Sequence, residues 1–239
     1  MEWEDELKSG QKKSPLLVVI PAYNEEKNIE YVIDDIKKNC PEYDYLIIND
    51  GSSDHTLEVC QKNGYNVLDL PVNLGLAGGF QAGMRYALRY GYRYVVQFDA
   101  DGQHLAEYIR TMYECAEQEK CGIVIASRYI HRKKGKSFRE IGSRLISLCI
   151  FLTTKKWIKD PTSGMRLYSA DIIQKVAKQM NYDPEPDTLA ALIKSGAVVR
   201  EIPAEMNERI SGASYLNFTN SVKYMFYMCT SILVVHWLR

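Results

Sequence analysis

Four short apolar runs, rich in β-branched residues, each stop at a polar cluster and give way to helix-forming sequence. They are Leu16–Ile20, closed by Pro21; Tyr45–Ile48, closed by Asn49 and Asp50; Asn66–Leu70; and Tyr94–Phe98, closed by Asp99, Ala100 and Asp101. Unbroken apolar runs of this length read as strands buried on both faces. After the first, Ile29, Val32, Ile33 and Ile36 recur at helical spacing, with Asn24 or its neighbours expected to cap the helix. A helix from about Thr56 follows the second run, and a Gly-rich stretch from Asn73 to Gly79 leads into a helix through Ala82, Tyr86 and Leu88. This alternation predicts an α/β fold, a Rossmann-like, mostly parallel sheet flanked by helices. Right-handed crossovers place the strand carboxyl ends on one edge, where ligands bind, and the unusual residues of this chain gather there.

The second half is less regular. Gly122–Ser127 is a fifth strand candidate, followed by a basic loop from Arg128 to Arg139, a helix over Ile141–Leu152 and a turn at Asp160–Gly164. Helices are expected near 170–179 and 188–194, and a strand near 198–203. The chain divides into a polar leader at 1–14, one α/β domain at 15–215 and a C-terminal apolar helix at 216–239. From Tyr224 to Leu238 the chain is almost uncharged. As a helix that run reaches about 22 Å, short of a ~30 Å hydrocarbon core, so packing in the protein, on a membrane surface or in a homodimer is expected before a membrane span.

Thirty Lys and Arg balance thirty Asp and Glu, which gives no support to a nucleic-acid partner. The first fifteen residues are polar and charged rather than signal-like, and no two cysteines have Cys-x-x-Cys spacing, so a cytoplasmic location is expected.

Asp99 and Asp101 flank Ala100 directly after a strand, where two carboxylates can converge on a hard divalent ion such as Mg²⁺ or Mn²⁺. Gln103 and His104 are two further possible ligands. Asp50 either accepts a hydrogen bond from a nucleobase or closes a turn, and Asp54 can cap the next helix. Gly75, Gly78 and Gly79 either let the backbone approach a ligand or open a helix.

Pro21-Ala22-Tyr23-Asn24-Glu25, Asn49-Asp50-Gly51-Ser52-Ser53-Asp54, Asn73-Leu74-Gly75 and Asp99-Ala100-Asp101-Gly102-Gln103-His104 together resemble glycosyltransferase family 2, in order and in spacing. Ala126-Ser127-Arg128-Tyr129 and the segment from Asp160 to Tyr168 are similar to its dolichyl-phosphate mannosyltransferase branch. The resemblance covers about residues 15–215 and implies a GT-A fold and inverting transfer from a nucleotide-diphosphate sugar. It implies that Pro21, Tyr23 and Glu25 line the nucleoside pocket and that Asp50 reads the base. Asp99 would touch ribose or metal, and Asp101 with Gln103 would hold the metal. Arg128, Arg139 and Arg209 become candidates for phosphate contacts, Arg209 being the stronger and Arg139 more simply a solvated basic residue.

Transfer to a sugar hydroxyl needs a general base. Glu185 and Asp187, in Asp183-Pro184-Glu185-Pro186-Asp187, are the candidates, and they equally suit an N-cap and first-turn acid for the following helix. Glu185-Pro186-Asp187 resembles segments of polysaccharide-assembly enzymes. The expected reaction is therefore transfer from a nucleotide sugar, UDP or TDP preferred, to a lipid-linked glycan in bacterial cell-wall or surface polysaccharide synthesis, with the protein peripheral at the inner membrane face. One rival is a polyprenyl-phosphate sugar synthase. Another is a non-catalytic nucleotide-binding scaffold, against which the paired aspartates argue.

Overall fold

The computed structural model describes residues 14–135, 137–178, 183–207 and 218–235. Seven strands form one sheet in the order β3-β2-β1-β4-β6-β5-β7: β1 (Leu16–Ala22), β2 (Asp44–Asn49), β3 (Val67–Asp69), β4 (Tyr94–Gln97), β5 (Ile123–Ser127), β6 (Arg166–Ser169) and β7 (Val199–Pro203). All neighbours are parallel except β6, which runs antiparallel to both β4 and β5. β1 carries on through Pro21, which lies opposite Ile48 in the register with β2.

The apolar runs become central strands because both faces are covered. Leu16, Val18 and Ile20 pack into one core layer with α1 (Ile29–Asn39), whereas Leu17 and Val19 face the other layer. Ile29, Val32, Ile33 and Ile36 are all buried, each contributing about 1.5–3 kcal/mol by leaving water. α2 (Thr56–Lys62) and α4 (Glu107–Glu119) lie on the first side. On the second side are α3 (Gly75–Arg89), α5 (Phe138–Thr154), α6 (Ala170–Lys178) and α7 (Pro186–Lys194).

α8 (Phe218–Thr230) ends in a π-helical turn at Ser231–Val235 and packs on α5. Met228 and Ile232 enter the core, while Phe226 and Tyr227 stay exposed. Among the described residues no helix is long and apolar enough to cross a membrane.

Three local expectations need correcting. α4 and β6 were not foreseen. Asn24 does not cap α1, whose N-cap position is Asn28 without a side-chain cap bond; Asn24 instead adopts a left-handed conformation (φ 57°) and serves a neighbouring loop.

Candidate functional site

The carboxyl ends of β1, β2, β4, β5 and β7 meet at one edge of the sheet, joined by the amino end of the reversed strand β6. The strand order turns back between β1 and β4, the place where α/β sheets of this kind receive ligands, and Pro21–Glu25 and Asp99–Asp101 lie at the ends of those two strands.

On the β1–β2 side, two loops are fastened together. Asn24 Oδ1 accepts from the Ser53 amide at 2.9 Å and the Asp54 amide at 3.3 Å, while the Asn24 amide donates to Ser52 Oγ. The Glu25 amide donates to Thr56 Oγ1 and the Glu26 amide to Asp54. Burial pushes the Asp54 carboxyl up, but the donors of Thr56 and Glu26 outweigh it, and its pKa lies below the ordinary value. Asp54 Oδ1 also accepts from the Thr56 amide at the start of α2, although the N-cap position of that helix is His55 rather than Asp54. Gly51 has φ +62°, and a Cβ there would come 2.6 Å from the Asn73 nitrogen, so a third loop is pressed against this pair. Asp50 is buried and accepts from the Leu74 amide at 2.8 Å, which sets the start of α3 at Gly75. One oxygen of the expected base reader therefore holds the loop. Tyr23 is exposed beside it.

On the β4 side, Ala100 and Asp101 are buried and Asp99 is partly open. Asp101 Oδ1 accepts from the Gln103 amide at 3.0 Å, and the Gln103 side-chain amide approaches the Asn207 carbonyl at 3.5 Å. The expectation for His104 changes. Its Nδ1 accepts from the Asp99 amide at 2.9 Å, its Nε2 lies 3.5 Å from Asp99 Oδ2, and its ring meets Phe98 edge-on. With Nδ1 taken by the backbone amide and Nε2 beside the Asp99 carboxylate, the ring packs against Asp99 and its Nδ1 is not open to a metal.

Asp99, Asp101 and Gln103 remain as an oxygen donor set suited to a hard cation. Among the described residues no three His, Cys, Asp or Glu side chains form a metal cage, so a cation here would need ligand oxygens as well. Gly164, in the turn entering β6, lies over this loop; a Cβ there would stand 2.7 Å from Asp99 Oδ2.

Arg128 also departs from expectation. It makes a two-pronged pair with the fully buried Asp160, Nε to Oδ2 at 2.7 Å and Nη2 to Oδ1 at 2.8 Å, and reaches Thr162 Oγ1 at 3.1 Å. Its charge is already matched, which makes it a clamp on the 160–164 turn rather than an open phosphate ligand. Arg166, buried at the start of β6, donates to the carbonyls of Pro161 and Ser163 at 2.7 and 2.8 Å and holds that turn from beneath.

Beside this clamp lies a cation that sequence reasoning passed over as part of a basic loop. Lys134 Nζ donates to Ser143 Oγ at 2.7 Å and approaches Ser147 Oγ at 3.4 Å, both buried hydroxyls of α5. Burial lowers its pKa to about 8. Ser143 in turn lies 3.4 Å from Thr162 Oγ1, which ties the Lys134 corner to the Arg128 corner. A cavity of about 630 Å³ adjoins the Arg128 corner, lined by Tyr108, Ser127, Arg128, Tyr129 and Met206.

The two base candidates are both engaged by the C-terminal helix. Glu185 accepts from the Tyr224 hydroxyl, and Asp187 from Ser231 Oγ at 2.7 Å. Burial raises the Glu185 pKa, partly offset by Tyr224 and Arg166. Glu185 is the N-cap of α7 without a side-chain cap bond, and Asp187 lies in its first turn, its Oδ1 accepting from the Thr188 amide. Arg209 lies outside the described residues, as does the side chain of Arg139.

Comparison with known proteins shows the family. The model of the family described as Glycosyl transferase family 2 matches residues 17–177. The polyprenol monophosphomannose synthase of Mycolicibacterium smegmatis is 28% identical over 226 residues, covering 88% of this chain and 84% of that protein. The UDP-N-acetylglucosamine--dolichyl-phosphate N-acetylglucosaminyltransferase of Methanococcus voltae is 27% identical over 212 residues, covering 79% and 84%. Among solved structures, glucosyl-3-phosphoglycerate synthase from Mycobacterium tuberculosis in complex with Mn²⁺, UDP and phosphoglyceric acid superposes with a TM-score of 0.66 at 17% identity, over 97% of this chain and 80% of that one. That likeness is one of fold.

Proposed function

The chain belongs to glycosyltransferase family 2 and is a glycosyltransferase of GT-A fold, and from that premise we propose that it moves a sugar from a nucleotide diphosphate, with inversion, onto a polyprenyl phosphate. The observation that carries the acceptor assignment is Lys134. A half-buried ammonium set against two serine hydroxyls, next to an arginine whose charge Asp160 already matches, suits a phosphate and offers nothing specific to a sugar hydroxyl. The relatives named for polyprenol- and dolichyl-phosphate acceptors support the same reading.

The chemistry agrees. A phosphate acceptor is already anionic and attacks without losing a proton, so no general base is required. Glu185 and Asp187, each accepting a hydrogen bond from the C-terminal helix, then act as anchors for the segment before α7. This places the lipid-linked glycan second.

Pro21, Tyr23, Glu25 and Asp50 would receive the nucleoside, with uridine and thymidine donors the first to try. Asp99, Asp101 and Gln103 fit Mg²⁺ or Mn²⁺ shared with the diphosphate, because all three offer oxygen and only two are charged. When bound, that ion would supply charge stabilisation to the departing diphosphate. His104 holds the Asp99 carboxylate in place, and Gly164 leaves room for it.

The test is sugar transfer from a panel of labelled nucleotide sugars to polyprenyl phosphate or to a lipid-linked glycan, with Mn²⁺ or chelator. Chelator-sensitive product on polyprenyl phosphate is expected. Product on the glycan alone would reject the acceptor assignment, and nucleotide binding without transfer to any acceptor would favour a scaffold.

A further inference from the structure

We propose that the chain carries a second ligand site, at the amino ends of its strands, and that this site takes a guanine nucleotide. The inference goes beyond the transfer reaction and does not depend on its acceptor.

On the second side of the sheet α3 packs over β1, β2 and β4. Beside α3, toward β3, the sheet forms one wall of a cavity of about 610 Å³, a volume that suits a small molecule. Leu17, Leu46 and Leu68, one from each of three neighbouring strands, make its floor. Asp44 opens β2 at this cavity, whereas Asp50 follows the last residue of the same strand at the catalytic edge. About 20 Å of strand separates the two, so the cavity is distinct from the site described above.

The lining matches each part of a nucleotide. Tyr86 and Tyr90, their ring centroids 4.4 Å apart, offer aromatic surface beside the aliphatic floor, which suits a flat ring. Asp44 supplies the reading edge. The Tyr92 hydroxyl donates to its Oδ2 at 2.9 Å, which fixes the carboxylate and leaves lone pairs on both oxygens. A carboxylate only accepts, so it pairs with a base edge that carries two adjacent N–H donors. Guanine has such an edge at N1 and N2, whereas adenine, cytosine and uracil set a donor beside an acceptor.

The phosphate falls to Arg85 and Arg89, exposed at the rim and one helical turn apart on α3. Arg85 Nε donates to the Ala177 carbonyl at 3.3 Å, which steadies the guanidinium and leaves its terminal nitrogens for a ligand. Among the described residues neither arginine has a carboxylate partner, in contrast to Arg93, Arg110, Arg128 and Arg200. Two guanidinium groups in that state suit a phosphate. A purely apolar occupant would cover Asp44 with nothing new to donate to it.

The experiment counts guanosine monophosphate (GMP) bound per chain by isothermal titration calorimetry, with AMP, UMP and CMP alongside. The wild type is compared with Arg85→Ser/Arg89→Ser and with Asp44→Asn, and far-UV circular dichroism and sugar transfer run in parallel. The arginine variant should bind one GMP fewer per chain, or hold it about tenfold or more less tightly, with circular dichroism and transfer unchanged. Asp44→Asn keeps an oxygen for Tyr92 and should lose the preference for GMP over AMP. GMP bound equally by all three proteins would place it at the catalytic edge and overturn the proposal. A wild type that binds no GMP would overturn it too, as would arginine-dependent binding that prefers another nucleotide. Loss of one bound GMP in the arginine variant of a chain that transfers no sugar would keep this site and reject the transfer reading.

Discussion

Replacing Arg128 by Met should destabilise the fold more than replacing Asp160 by Asn, although both substitutions break the same pair. Asp160 is 0% exposed, whereas the Arg128 side chain keeps 35% of its surface in water. Breaking a buried pair from one side costs about 3–5 kcal/mol, because the remaining charge is left uncompensated. In Arg128→Met that charge is the carboxylate of Asp160, which has no route to water and keeps only the Arg128 amide and the Thr162 hydroxyl as donors. We expect a cost of about 3–4 kcal/mol. In Asp160→Asn the exposed third of the guanidinium can rehydrate and the amide oxygen can still accept one bond, so about 1–2 kcal/mol is expected. At roughly 2–4 °C per kcal/mol for a chain of this size, Arg128→Met should melt about 6–16 °C below the wild type and Asp160→Asn about 2–8 °C below. The assay is urea and thermal denaturation of both variants and of the double variant Arg128→Met/Asp160→Leu, which should recover part of the loss. If Arg128→Met is as stable as the wild type but raises the KM for nucleotide sugar or acceptor, the clamp is wrong and Arg128 is the phosphate ligand that the sequence suggested.

Three further outcomes follow from the site. Lys134 is charged below its folded pKa of about 8, so kcat/KM for polyprenyl phosphate should fall as pH rises through that value, and Lys134→Arg should move the falling limb upward. The same shift makes Lys134 a burden on folding at neutral pH; stability gained through it should appear only between about 8 and its ordinary value, as a small rise in melting temperature. Gly164→Ala would place a methyl 2.7 Å from Asp99 Oδ2, and kcat should drop about tenfold or more with circular dichroism unchanged. Glu185→Gln should retain transfer to polyprenyl phosphate within about tenfold; a loss of about a thousandfold would restore Glu185 as a base and a hydroxyl as acceptor.

What could be read from the chain before its structure follows from the physics of each segment. β1, β2 and β4 announced themselves because strands covered on both faces must be apolar throughout, and their terminal polar residues stood out by contrast. β6 was missed because it has four residues and opens with Arg166, whose charge is acceptable in a buried strand only through carbonyls that the turn itself supplies. α4 was missed because Ile109, Met112 and Ala116 are a sparse buried stripe among acids. At the site, the Asp99–Gln103 loop drew attention through its local chemistry alone. The pairing of Arg128 with Asp160 and the seating of Lys134 on α5 were not, since both depend on which distant loops share a corner. The setting of His104 was hidden for a related reason: proximity to two aspartates along the chain says nothing about which ring nitrogen the backbone has already claimed.

The reversed strand bears on how the protein is made. As the chain is synthesised from its amino end, β1 to β4 can assemble in order, with the aspartate loop already at their edge. β5 emerges next, but it does not pair with β4; the place between them belongs to β6, which comes later and enters from the opposite direction. Until it arrives β4 is an open edge, and the turn through Gly164 does not yet lie over Asp99. The nascent chain thus passes through an interval in which its first half is a sheet with one unpaired, mostly apolar side strand, the form most open to edge-to-edge association and most in need of a chaperone. Insertion of four residues ends that interval and brings the Gly164 turn over the aspartate loop in the same event.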